Sequence, residues 1–299
     1  MESRKKGIQL ALSGGGARGL AHIGVIEALQ KDGFQINGIA GTSMGALIGA
    51  AFAMNKMKTL KTWFLEMDRN EMLSLIDFTF STQGLVKGDR IFEVMKDFIP
   101  DCNIEDLSIP FAAVATDLVN KREVVFRTGS IYYAIRASVA IPTIFTPIKT
   151  DDGLLVDGGL LNNLPLKYLK AEGNELTVAS SVNSSPPKRV KNGLSEEVSE
   201  PVIETENESI LPNSDSIKRF FDKINVFDQE ESMNYFNLIN QTIDLMLSYN
   251  VDINIARHKP DLLFEVSREV SGMFDFYRAE EIIEAGRLAA EKVLAEMNN

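Results

Sequence analysis

The apolar run IQLAL at residues 8–12 is short, and three glycines follow one residue after it. That is the pattern of a buried strand entering a tight loop. Beyond the glycines, Leu20, Ile23, Ile26 and Leu29 recur at helical spacing, and Asp32-Gly33 ends that helix. A second apolar run at residues 36–40 predicts another short strand, and GTSMGALIGAAFAM starts a helix of small residues near Met44. Strand, loop, helix, strand, turn, helix is the order of a parallel sheet with helices on its faces.

Residues 58–100 read as helical or irregular, with an apolar stretch MLSLIDFTFSTQGLVKGD. FAAVATDL (residues 111–118) and EVVFRTG predict a third and a fourth strand. SIYYAIRASVAIP reads as a helix ended by Pro142, GLLVDGG as a strand running into a tight turn, and LTVASSVN as a further buried strand. Residues 194–216 hold seven acidic residues, two prolines and no Lys or Arg, which reads as a solvated, mobile linker. The chain resumes with IKRFFDKINVF and a long helix to about residue 247, then the strand PDLLFEVS and a terminal helix over 279–297. The expected organisation is one domain over 1–299, with an acidic loop at 183–216 and C-terminal helices and a last strand over 217–299.

Charge narrows the partners. The net charge is -11, so the surface repels nucleic-acid phosphates and does not attract anionic lipid headgroups. Any membrane contact is expected to be local and apolar. Cys102 is the single cysteine and His22 and His258 the only histidines, so no intramolecular disulfide, paired-Cys zinc motif or His-rich metal site is expected. The start of the chain carries basic residues, but its apolar run is broken by Gln9 and is too short for a signal segment, and Glu2 excludes N-myristoylation. No window reaches the ~18 apolar residues of a membrane span. The expectation is a cytoplasmic protein without a transmembrane segment, at most peripheral to a membrane.

Two glycine-rich turns carry the candidate chemistry. Gly14, Gly16 and Gly19 fit G-x-G-x-x-G between a strand and a helix. A dinucleotide site also needs an acidic residue at the end of the second strand, and Gly41-Thr42 stands there instead. Gly41-Thr42-Ser43-Met44-Gly45 is G-x-S-x-G in a strand–turn–helix setting, the pattern of a nucleophile elbow in which Gly41 and Gly45 leave room for a sharp turn. Adjacent parallel strands would bring the Gly14-Gly15-Gly16 loop to the same sheet edge, its N–H groups facing the oxygen of a carbonyl attacked by Ser43. A serine needs a base. His22, inside the first helix, reads as structural. His258, in a charged loop before the last strand, would complete a Ser…Asp…His order. Asp157, at the end of LLVD, could take the serine proton directly, although Asp-Gly after an apolar run is commonly just a turn.

SGGGARG, GTSMG, ASVAIPTIFTP and DGGLLNNLP stand in that order within residues 8–165. Together they resemble the patatin-like phospholipases, the bacterial lipid acyl hydrolases. The resemblance implies a three-layer α/β/α fold with a mainly parallel sheet and a dyad in place of a triad. It makes Ser43 the nucleophile and Asp157 the general base. Gly14, Gly15 and Gly16 become the oxyanion hole, with Gly41, Gly45, Gly158 and Arg18 in support. Arg18 would brace the glycine loop or meet a lipid phosphate; a surface arginine is the alternative. No metal or cofactor is implied, and the partner is a lipid or ester substrate at or near a membrane surface. Two other functions remain open at this level: an acyltransferase with a histidine base, and a lipid-binding regulatory module. Phe220, Phe221, Ile224 and Phe227 share one helical face, which would serve as core, as a homodimer surface or as a lid over lipid.

Overall fold

The computed structural model describes residues 6–75, 89–142, 144–184 and 235–297. The chain divides into two compact units, Met1–Pro186 with Leu245–Asn299, and Pro187–Asp244. Residues 235–244 are the described part of the second unit and are helical.

In the first unit the strands β1 (Lys6–Leu12), β2 (Phe34–Thr42), β3 (Phe111–Asp117), β7 (Leu176–Ser184) and β8 (Leu262–Ser267) are joined as parallel neighbours in the order β3-β2-β1-β7-β8. Beside β3 the sheet turns antiparallel, with β4 (Arg122–Phe126), β6 (Leu154–Asp157) and β5 (Ile148–Lys149). The helices, in chain order, are α1 (Ala21–Lys31), α2 (Met44–Ala53), α3 (Met57–Glu66), α4 (Arg69–Leu75), α5 (Asp89–Phe98), α6 (Ile131–Ser138), the single turn α7 (Gly159–Asn162), α8 (Tyr235–His258) and α9 (Ala279–Met297).

Alternation along the strands sorts the helices into layers, because successive side chains point to opposite faces. Ile8, Leu10 and Leu12 of β1, with Val178 and Val182 of β7, pack in one core with α1, α2 and α9. Ala11 and Ala179, one position out of step, pack with Leu164, Leu166 and Val251 of α8. Helices therefore cover both faces, the three-layer α/β/α arrangement expected. The α1–α9 contact is close because glycines face backbone: a Cβ on Gly24 would strike the Ile283 carbonyl, and one on Gly286 the Ala21 carbonyl.

The sequence expectations differ from the structure at several ends. A 3-10 turn, Gly16–Leu20, precedes α1. The strand expected at 36–40 runs as Phe34–Thr42. The helix before Pro142 stops at Ser138, because the residue ahead of a proline is pushed out of the helical region. The helix expected to end near 247 continues to His258, so that histidine closes a helix and is not in a loop. Residues 183 and 184, assigned to the acidic loop, finish β7. The rest of that loop, the Phe220–Phe227 stripe and most of the 72–89 apolar stretch lie outside the described residues. Among the described residues no helix is long and apolar enough to cross a membrane.

Candidate active site

Register brings the elbow and the aspartate together. Along β3, Phe111 to Val114 pair with Ile39 to Thr42 of β2, and Ala115 to Asp117 pair with Asp157 to Leu155 of β6. β4 pairs with Ala113 to Asp117 and so occupies the other edge throughout. β2 and β6 must then share one edge of β3 and meet end to end. β2 leaves at Thr42 opposite Val114, and β6 stops at Asp157 opposite Ala115. The next residue after Thr42 is Ser43, and its side chain lies close enough to the Asp157 carboxylate to help lower that group's pKa.

Ser43 is held in a conformation that side chains rarely adopt, with φ 55° and ψ -126°. Such strain persists only where the surroundings over-determine it. Here they do. A Cβ on Gly41 would lie 2.5 Å from the Gly45 carbonyl oxygen, and one on Gly45 would lie 2.5 Å from the Leu12 carbonyl oxygen. The Ser43 N–H donates to Ser138 Oγ at 2.8 Å, and that hydroxyl donates on to the Val114 carbonyl at 2.6 Å. The Ser43 carbonyl accepts from the N–H groups of Ala46 and Leu47 and starts α2.

Asp157 is buried. Its N–H donates to the Ala140 carbonyl at 2.9 Å, and Oδ1 accepts the Gly159 N–H at 2.7 Å. Burial raises its pKa to about 6, against the smaller opposing effects of the Ser43 and Gly159 hydrogen bonds. A base of this pKa is mostly ionised at neutral pH yet close enough to take and return a proton.

The glycine loop lies against the serine: a Cβ on Gly14 would be 2.9 Å from the Ser43 Cβ. The Gly14 N–H is already engaged, donating to Asn163 O at 3.2 Å and Asn163 Oδ1 at 3.1 Å. The Gly14 carbonyl accepts from Asn183 Nδ2 at 2.7 Å. Gly16 has φ 58°, and a Cβ there would sit 2.5 Å from the Met273 carbonyl oxygen, so only glycine fits. Among the described residues the N–H groups of Gly15 and Gly16, at the head of the 3-10 turn, donate to no protein acceptor. Arg18 is buried, not a surface residue, and its Nε donates to the Gly15 carbonyl at 3.1 Å. A Cβ on Gly158 would strike the Val114 carbonyl, which explains glycine after the aspartate.

The histidines are placed elsewhere. His22 Nε2 lies 2.8 Å from the Ser13 carbonyl and must donate to it, so Nδ1 accepts from Ser180 Oγ, also at 2.8 Å. Burial lowers its pKa to about 4, which keeps the ring neutral. His258 ends α8 beside Arg257 and Lys167, and burial followed by those two charges lowers its pKa. Sequence reasoning missed Ser138 and Asn163, although both stand inside the blocks ASVAIP and DGGLLNNLP.

The chain is similar to known proteins. A family model described as patatin-like phospholipase matches residues 10–170. An uncharacterized NTE family protein of Mycobacterium bovis is 32% identical over 96% of this chain and 91% of its own length. The mouse patatin-like phospholipase domain-containing protein 7 is 33% identical over 59% of this chain and 14% of its own. Among solved structures, VipD from Legionella pneumophila aligns with 98% of this chain and 67% of its own at 14% identity and a TM-score of 0.47.

Proposed function

The chain belongs to the patatin-like phospholipase family, and on that premise we propose that it is a serine lipid acyl hydrolase working through Ser43 and Asp157. Membership implies lipid acyl hydrolase activity; the roles of individual residues are the proposal. The observation that carries it is a strained elbow serine set by strand register beside a buried carboxylate whose pKa is raised to about 6.

Ser43 Oγ attacks the ester carbonyl carbon as Asp157 takes its proton. The N–H groups of Gly15 and Gly16 receive the oxyanion, and Gly14, its own N–H spent on Asn163, anchors the loop. The carbon–oxygen bond to the alcohol breaks, and Asp157 returns the proton to the leaving oxygen. Water then attacks the acyl-enzyme and gives a proton to Asp157. The fatty acid departs, and Ser43 recovers that proton. One oxyanion donor is typically worth ~3 kcal/mol of barrier. Arg18 acts by holding the Gly15 carbonyl. An acyltransferase with a histidine base gains no support from His22, whose two nitrogens are occupied by Ser13 and Ser180.

Leu161 on α7, which follows Asp157 in the chain, and Leu245, Met246 and Tyr249 on α8, whose Asn250 reaches α7, are exposed apolar side chains. With a net charge of -11, they suit acyl chains or an uncharged lipid surface better than an anionic one.

Treatment with a fluorophosphonate followed by intact-mass measurement tests the reading. One adduct is expected on the wild type and none on Ser43→Ala, with ester turnover in that variant falling by about 10³-fold or more. An adduct retained in Ser43→Ala would refute it.

A further inference from the structure

α7 is one turn long, so its carbonyls all belong to the last turn of a helix, where other segments can supply donors. Asn162 O accepts from Thr42 Oγ1 at 2.9 Å, and Asn163 O, the next in line, accepts from the Gly14 N–H at 3.2 Å. The carbonyls of Gly159 and Leu160 both accept from a single amide, Asn250 Nδ2, at 3.1 and 3.0 Å. Asn250 lies on α8, outside residues 10–170 that match the family model. Its neighbour Val251 seats the helix on the sheet, against Ala11 and Ala179, and Asn254 Nδ2 donates to the Asn250 carbonyl at 2.8 Å. The amide is thus presented from a packed helix.

Gly159 is the residue whose N–H binds Asp157 Oδ1, so its peptide groups face Asn250 on one side and the carboxylate on the other. We infer that Asn250 is a positioning residue of the hydrolytic site: it holds the Gly159–Leu160 turn so that the Gly159 N–H stays on Asp157 and the carboxylate stays aimed at Ser43. This rests on the dyad proposed above. Without the clamp the turn relaxes, the N–H bond to the carboxylate weakens, and Asp157 becomes both misaligned and harder to ionise. The shift of Asp157 arises from burial, Ser43 and Gly159, with no neighbouring charge among its causes, so a change at Gly159 is read directly in its titration.

The test is the rate of fluorophosphonate labelling of the full chain across pH 5–9, for wild type, Asn250→Leu and Asp252→Asn, with thermal midpoints recorded. Asn250→Leu keeps bulk and removes both donors. It is expected to label about 10- to 100-fold more slowly, and its acid limb to move up by about one pH unit. Asp252→Asn changes an exposed residue of the same helix and is expected to keep the wild-type rate and limb. If the leucine variant does not fold, Asn250→Ser, too short to span both carbonyls, takes its place with the same expectation. Wild-type rate and midpoint in the Asn250 variant would overturn the inference and leave the dyad standing, as would slower labelling with an unmoved limb. A wild type that takes no label, or takes it at a residue other than Ser43, would overturn the dyad and the inference with it.

Discussion

Asp117 and Asp157 belong to one pair of antiparallel strands. Asp117 pairs with Leu155, and Asp157 with Ala115, two rungs away. Both side chains are buried. Asp117 accepts from Asn120 Nδ2 at 2.7 Å and from the N–H groups of Val119, Asn120 and Leu154 at 3.1–3.3 Å, with Arg122 Nε 3.6 Å away. The Asn120 side chain leads the effects that lower its pKa to about 2. Asp157 accepts one backbone N–H and lies beside Ser43, and burial carries its pKa up to about 6. The difference lies in donors. A carboxylate saturated with N–H groups is bound to its charge and ties a hairpin together; one short of them can exchange a proton.

Exchanging each acid for its amide gives the largest contrast. Asp157→Asn should cut ester turnover by about 10³-fold while making the protein more stable. The folded pKa of Asp157 lies above its ordinary value, so the folded chain binds the proton more tightly between about pH 4 and 6. Stability falls as pH rises through that window, and the buried charge is a burden above it. Removing it should raise stability at pH 8 by on the order of 2–3 kcal/mol, with the gain vanishing towards pH 4 in paired chemical denaturation curves. A destabilised Asp157→Asn protein at pH 8 would break the comparison.

Next in size is the pH profile of the wild type. Turnover should decline about tenfold per unit below the folded pKa of Asp157, giving an acid limb near pH 6 in kcat/KM for a soluble ester. A limb near 4 would mean that burial does not govern this group.

On the serine side of the pair, Ser138→Ala leaves the buried Ser43 N–H without its acceptor and frees the elbow to relax. Turnover should fall about tenfold, in line with a loss of 1–3 kcal/mol for an unsatisfied buried group, with KM little changed in steady-state kinetics.

Asp117→Asn should have the smallest effect on catalysis, within about twofold of wild type, and should lower the thermal midpoint at pH 7. Because its folded pKa is depressed, the stabilisation is present above about pH 4 and disappears as pH falls towards 2. Wild type and variant should therefore converge in acid-titrated melts.

Much of this was legible along the chain. The elbow and the glycine loop are local devices. Gly41, Gly45 and Gly16 sit where a side chain would strike backbone, and such positions announce themselves as glycine in any reading of the sequence. Asp157 at the end of an apolar tetrapeptide was legible as an acid leaving a strand, although the same dipeptide also reads as a plain turn. Nothing along the chain showed that the Gly14 N–H, one of the three expected glycine donors, is held by Asn163, 149 residues away. Nothing in the pattern around Asn250 marked it, because a helix period reports which face is apolar and not which polar tip reaches another segment's carbonyls.

The sequence by itself determined the order of strands and helices, the two tight turns, and the acid and hydroxyl available for chemistry, because each depends on residues close together in the chain. Only the tertiary structure decided which of them meet. β2 and β6 run into each other along one edge of β3, which sets Ser43 beside Asp157, 114 positions further along the chain. It also decided their charges: burial without compensating donors raises Asp157, abundant donors lower Asp117, and burial between Ser13 and Ser180 silences His22. Desolvation and long-range hydrogen bonding act through space, and no periodicity along the chain records them.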